Sequence, residues 1–192
     1  MAETGYRFAT SSMVSSGSWT NLGNFFATDA AEAACSIAAK NTSSVARLLN
    51  FGFTTSIIAS DATIDQVLMR CVWRVTTAAS VIANLNAMVY VSSVGLLAAH
   101  VNTAEITTLT TDVFDVTGDT AWAPAHFRDG TLEVRATPYN GNDASDPFYR
   151  YDSISLDVFY TPAPVVAGQT IMAICNLDGC GSDGRLPGNA LE

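Results

Sequence analysis

Asn50-Phe51-Gly52-Phe53 opens the stretch that decides the fold. It passes through Asp61-Ala62-Thr63-Ile64-Asp65 and closes with Gln66-Val67-Leu68-Met69-Arg70-Cys71-Val72-Trp73-Arg74-Val75. In the closing segment Val67, Met69, Cys71, Trp73 and Val75 share one parity, while Gln66, Arg70 and Arg74 fall on the other. A period of two predicts a strand with one buried and one wet face. Trp73 is the largest group on the buried side. Asp61-Ala62-Thr63 supplies short polar side chains that bond the local backbone, so a turn is expected before the strand. Nothing in the stretch is arranged for catalysis; it reads as scaffold.

The same alternation recurs outward in both directions. Ala33, Cys35, Ile37 and Ala39 alternate within an Ala-rich segment, which favours a strand over a helix there. Val45, Leu49, Phe51 and Phe53 are expected to continue a strand into the central stretch. Downstream, Ala83, Leu85, Ala87, Val89 and Val91 alternate with polar residues. Residues 106–117 are rich in Thr and Val, which suit strands. Leu132, Val134 and Ala136 share a face, and Ile154, Leu156, Val158 and Tyr160 alternate with Ser153, Ser155 and Asp157. Pro162 and Pro164 end that run, because proline cannot continue a ladder. Many short strands separated by turns predict an all-β, antiparallel β-sandwich of jelly-roll-like kind. Residues 17–164 would form the sandwich, with Trp73, Phe51, Phe53, Ile154, Leu156 and Val158 in its core. Residues 1–16 read as an extended N-terminal arm with Tyr6, Phe8 and Met13 as isolated apolar anchors. Residues 165–192 leave room for one further strand before a Gly-rich C-terminal arm containing Leu177 and Leu186.

Composition narrows the function. Of 192 residues only 14% are charged, against about 25% in ordinary soluble domains, and 48% are hydrophobic. Few charges among many small hydroxyl residues suit a sandwich partly covered by neighbouring subunits. Nine basic residues against eighteen acidic ones give a net charge of -9. That sign repels phosphate backbones and anionic lipid, so neither direct nucleic-acid binding nor membrane docking is expected. The first residues lack the basic cluster and apolar core of a secretory signal. Residues 76–104 carry no Asp, Glu, Lys or Arg, yet Asn84, Asn86, Ser92, Ser93, Gly95 and His100 interrupt them short of the roughly 18 apolar residues of a membrane helix, so no span is expected. Synthesis in a reducing cytosol makes free thiols the default. Cys35 and Cys71 read as small core residues; Cys175 and Cys180 read as free, with a late disulfide as the alternative.

Candidate chemistries were weighed against plain packing. His100 and His126 lack ligand-like spacing for zinc. There is no nucleophile elbow and no phosphate-cradling loop. The acidic loops at 140–146 and 178–183 lack the order of a calcium loop. Asp112 and Asp115 resemble a glycosidase pair only in being two carboxylates, with nothing to set them across a cleft. No cofactor, metal or catalytic residue is therefore expected. Trp19, Trp122, Tyr139, Tyr149 and Tyr151 are candidates for an aromatic glycan platform; core packing is the commoner use for Trp19 and Trp122, while Tyr139, Tyr149 and Tyr151 flank a loop, open to interface contact or to solvent.

Two blocks carry a family resemblance. The first is Gly17-Ser18-Trp19-Thr20-Asn21, Asn24, Ala27 and Asp29, then Asn50-Phe51-Gly52-Phe53 and Ala62-Thr63-Ile64-Asp65. The second is Trp122-Ala123-Pro124, Glu133-Val134-Arg135-Ala136-Thr137, Asp152-Ser153-Ile154 and Val158-Phe159-Tyr160-Thr161. Together, over residues 17–162, they resemble the β-sandwich domain of tailed-bacteriophage virion proteins, which often read W-T-N, N-F-G-F, A-T-I-D-G-I and a closing Y-Y-T. Gln66 stands where that family usually has Gly, and Ile57-Ile58-Ala59-Ser60 replaces its Ile-Pro segment. The resemblance implies a structural virion subunit, made in the bacterial host cytoplasm and located in the virion. Capsid decoration (cement), neck and tail accessory roles fit it, with homo-oligomers or other virion proteins as partners. Tyr6, Phe8, Met13, Leu177 and Leu186 are then the expected assembly contacts. The alternative is a carbohydrate-binding module displayed on a virion.

Overall fold

The structure, a computed structural model, describes residues 1–39, 41–76, 83–104, 106–141 and 148–164, with Ala83 and Asn84 as backbone only. The strands are β1 (Ala2–Glu3), β2 (Arg7–Phe8), β3 (Ser11–Ser16), β4 (Ser18–Thr20), β5 (Ala33–Ser36), β6 (Thr42–Ser43), β7 (Val45–Leu49), β8 (Thr63–Val75), β9 (Ala83–Val91), β10 (Gly95–Asn102), β11 (Thr110–Asp115), β12 (Leu132–Ala136), β13 (Tyr139–Asn140) and β14 (Phe148–Thr161). The helical content of the described residues is three single 3-10 turns, at Leu22–Phe25, Thr117–Asp119 and Pro124–Phe127. None is long and apolar enough to cross a membrane.

The strands form two antiparallel layers, an all-β sandwich as the alternation predicts. The first sheet runs β11-β8-β14-β5-β4, with β1 and β2 also on β14. The second runs β3-β7-β12-β9-β13-β6, with β10 on the outer side of β9. Val67, Met69, Cys71, Trp73 and Val75 of β8 are all fully buried between the layers. They meet Leu85, Ala87, Val89 and Val91 of β9 and Leu132, Val134 and Ala136 of β12, also buried. The Trp73 indole is not left unsatisfied: Nε1 donates to Asp112 Oδ2 at 2.6 Å, and the same oxygen accepts from Asn102 Nδ2 at 2.8 Å. Because Asn102 lies on β10 and Asp112 on β11, this bond set ties the two sheets together.

β14 places Tyr149 and Tyr151 in the core as well as Ile154, Leu156 and Val158, although their parities differ. A bulge at Asp152 resolves the conflict: Tyr151 pairs with Trp73 and Ser153 with Val72, leaving Asp152 unpaired and shifting the alternation by one. The residues expected on the wet face of β14, Ser153, Ser155 and Asp157, are buried too. The N-terminal residues cover them: residues 1–16, expected as an extended arm, are extended and paired with the sandwich as β1, β2 and β3. β5, then a bridge from Phe26 to Ser153, then β2 and β1 fill the far edge of β14 in succession. β3 then pairs with β7 in the other sheet. The physical reason is edge satisfaction: without residues 2–8, the N–H and C=O groups of β14 beyond Ser153 would stand open. The residues expected to form the C-terminal arm lie outside the described residues.

The Asn-Phe-Gly-Phe motif is a loop after β7, not a strand continuation. Asn50 and Gly52 hold left-handed φ values of 59° and 69°, which Asn and Gly tolerate best. The two reversals drive Phe51 and Phe53 into the core, 3% and 2% exposed. The loop also anchors the N-terminus, since Asn50 O accepts from Thr10 N at 3.1 Å and Gly52 O from Arg7 at 3.3 Å. At Gly17, where the chain crosses from β3 to β4, a Cβ would lie 1.9 Å from Ser44 Oγ; only glycine fits. In β7 the buried side chains are Ala46 and Leu48, so Val45 and Leu49 face outward.

Two outcomes follow from this packing, both read by urea unfolding. Trp73→Ala should lower stability by about 3–5 kcal/mol, and Asp112→Ala by about 1–3 kcal/mol through the orphaned indole N–H. Deleting residues 1–10 should lower the unfolding midpoint and raise binding of a hydrophobic dye; an unchanged midpoint would mean that the segment is dispensable to the sandwich.

Candidate assembly surface

The outer face of the second sheet is the surface least explained by folding. Its strands contain three Asp, Glu, Lys or Arg side chains, namely Arg47, Glu133 and Arg135. In L-E-V-R-A of β12, Leu132, Val134 and Ala136 point inward, so Glu133 and Arg135 are turned outward by the pleat. Arg47 sits on β7 opposite Arg135. Two like charges directly opposed would repel; Glu133 between them removes the conflict. Glu133 Oε2 accepts from Arg47 Nε at 2.7 Å and also from its Nη2, while Oε1 accepts from Arg135 Nε at 2.6 Å. The carboxylate is 3% exposed, the two arginine side chains 29% and 26%. The acid is therefore the buried holder and the cations are presented. Arg135 also lies over the Tyr90 ring at 4.6 Å, a cation–π contact that fixes its plane.

Register continues the face on both sides. One rung reads Ser11, Leu49, Glu133, Tyr90, Leu96; the next reads Met13, Arg47, Arg135, Met88, Ala99. Leu96, Met13 and Val101 are 50%, 45% and 44% exposed. A shallow hollow of about 210 Å³ opens beside the cluster, between Arg47, Leu49, Tyr90, Ser92 and the turn at Gly130 and Thr131. Exposed apolar side chains around preorganised arginines have the make-up of an interface centre.

Of the expected contacts, Met13 alone is found on this face. Tyr6 and Phe8 are half-buried against their own sandwich, where Arg70 lies 4.1 Å and 5.8 Å from their ring centres. Burial pushes the Tyr6 hydroxyl pKa up. Leu177, Leu186, Cys175 and Cys180 lie outside the described residues, as does the loop 178–183 and most of 140–146. A groove of about 560 Å³ is lined by Tyr6, Arg7, Phe8, Phe26, Phe51 and Gly52, among others. No carboxylate lines it, so it brings no acid and base together.

The aromatic candidates are largely taken up by packing within the sandwich. Tyr149 and Tyr151 are fully buried; Trp19 packs on Phe25 and Tyr151 at 5.8 and 5.7 Å. Trp122 stacks on Phe127 at 5.1 Å and donates to Val116 O. Asp112 is held by Trp73 and Asn102, and Asp115, of opposite parity, by Gln66 and Thr117. The Thr117 bonds, foremost, hold the Asp115 carboxyl below its usual range. The two carboxylates thus belong to different faces of β11. His100 meets Asp119 at 2.8 Å and packs on Phe114, tying β10 to the turn after β11. His126 Nδ1 accepts from Ala123 N. Among the described residues no three His, Cys, Asp or Glu side chains cluster as metal ligands. Cys35 and Cys71 are free and buried; burial pushes the Cys35 thiol up to about 11 and raises that of Cys71.

No protein-family model and no curated protein matches the chain. Among solved structures, SGBP-B from a complex xyloglucan utilization locus in Bacteroides uniformis aligns with a TM-score of 0.50 at 12% identity, over 80% of this chain and 49% of that one. A structure described as "CBM4 structure and function" aligns at 0.45 and 13%, over 69% and 87%. An arabinose-bound MgGH51 α-L-arabinofuranosidase aligns at 0.46 and 11%, over 80% of this chain and 23% of that one. The chain thus spans about half of the first and a quarter of the last. At such identities the likeness is one of fold, the two-layer β-sandwich.

Glu133→Ala should leave two opposed arginines unneutralised on one face. Its expected cost is about 2–4 kcal/mol, against under 1 kcal/mol for the exposed Met13→Ser, both measured by urea unfolding.

Proposed function

We propose that the chain is a structural subunit of a tailed-bacteriophage virion, of the capsid-decoration or neck and tail accessory kind, and works by assembly. The observation that carries this reading is the outer face of the second sheet. It is broad, nearly uncharged, rimmed by exposed Met13, Leu96 and Val101, and centred on two arginines held in place by a buried carboxylate. Such a face contributes to association more than to stability of the lone subunit. The ordered motifs over residues 17–162 supply the virion context. The chemistry of the described side chains supports the same reading, because Asp112, Asp115, His100 and His126 are each taken up in internal hydrogen bonds.

The carbohydrate-binding alternative takes its fold analogy from the solved structures, but of the five aromatic platform candidates Tyr149 and Tyr151 are buried in the core and Trp19 packs on Tyr151. The reading is tested by mixing the labelled full chain with purified tailed-phage particles and sedimenting both. Saturable co-sedimentation, lost in Arg135→Glu, is the expected result. A chain that stays in the supernatant as a monomer, and binds an array of polysaccharides instead, would overturn it.

A further inference from the structure

The outer face of the second sheet and one end of the first sheet's outer face carry opposite charge, the first sheet's Arg74 and Arg150 lying at its other end. On the second sheet, Arg47, Arg135 and Glu133 leave one net positive charge, in a molecule whose net charge is -9. On the first sheet, carboxylates gather where β8 begins and β14 ends. Asp157, Leu68 and Asp115 lie in register across β14, β8 and β11. Glu3 is one rung further, beside Phe159. Asp157 is 1% exposed, while Glu3 and Asp115 reach solvent. On this outer face Arg70 is one rung away and stacked on Tyr6, while Arg7, level with Leu156, donates to Gly52 O instead. Asp157, by hydrogen bonding and by like charge, raises the Glu3 carboxyl above its usual range. The acidic end therefore carries crowded negative charge that a cation from outside would relieve. Val113, 51% exposed, and Leu68 add apolar surface beside it.

We infer that copies of this chain pack head to tail, the Arg47–Arg135 face of one copy seating on the Glu3–Asp115 end of the next. The inference rests on the assembly reading above and names its partner and faces. A two-fold pairing of the second sheet with itself would set arginines against arginines, which like-charge repulsion disfavours. Pairing of unlike faces satisfies both, and repeats to give a closed ring or an open filament. Five strands at ~4.8 Å and about eight residues at ~3.3 Å give a footprint on the order of 500 Å². That falls short of the roughly 800 Å² per partner of a stable single interface. One contact is thus weak and salt-sensitive, and repetition around a ring or along a particle provides avidity.

The test is sedimentation velocity of the full chain over a concentration series, at low and high salt. Wild type should form species of more than two copies at low salt and dissociate at high salt, as the screening length shrinks from about 10 Å at 0.1 M to 3 Å at 1 M. Arg135→Glu alone, and Glu3→Lys with Asp115→Lys alone, should each weaken assembly at least about ten-fold. A one-to-one mixture of the two variants should restore it, because each supplies the face that complements the other. If Arg135→Glu fails to fold by circular dichroism, the double lysine variant, altered only at exposed side chains, still decides. Variants that assemble like wild type, a mixture that stays dissociated, or a species closed at two copies would overturn the head-to-tail contact. A monomeric wild type that still co-sediments with phage particles would overturn this inference and leave the virion reading standing; one that binds no particle would remove both.

Discussion

The molecule depends on the pairing of β8 with β14. Twelve antiparallel partners join them, from Tyr149 with Val75 to Thr161 with Thr63. The inward side chains of these two strands supply one wall of the core, with Trp73 facing Tyr151 at its centre. A buried indole is costly if its N–H goes unbonded. The bond to Asp112 therefore fixes where β11 must lie, and the bond from Asn102 to the same carboxylate fixes β10 against it. One buried side chain thus sets the order of strands at an edge of each sheet.

The remaining edge of β14 sets the fate of the N-terminus. Residues 2–8 have Tyr6 and Phe8 as isolated apolar anchors among small and polar residues, which suggests a loose arm. Backbone bonding outweighs that hint: an unpaired strand edge is a larger liability than the entropy of ordering a few residues already tethered nearby. Tyr6 and Phe8 are consumed in closing the sandwich, stacked with Arg70 over the edge they complete. On the proposed reading, assembly uses what folding leaves over, foremost the outer face of the second sheet.

The layers and most core positions were legible in the sequence because period-two alternation in β8, β9, β12 and β14 is strong. Two features were not. The Asp152 bulge breaks parity in a way no alternation count reveals, so Tyr149 and Tyr151 read as flanking a loop rather than as core. The outward parity of Val45 and Leu49 was hidden because apolar residues occupy both faces of β7. Arg47, Glu133 and Arg135 escaped notice as a site because Arg47 is 86 residues from Glu133 and the strands between them had to be ordered first. A usable signal was present: these three are the charged residues of seven strands, and charge that rare on a sheet face has a reason. Likewise His100 and Asp119 are 19 residues apart and meet only across a turn.

On the proposed assembly reading, subunit contact falls to a sheet face rather than to a cleft, with a buried carboxylate presenting two arginines to a neighbour. A density map of the assembled protein, alone or on a phage particle, tests this most directly. The account predicts a neighbouring chain over Met13, Arg47, Tyr90 and Arg135. A map in which that face looks onto bulk solvent, while subunits touch elsewhere, would contradict it.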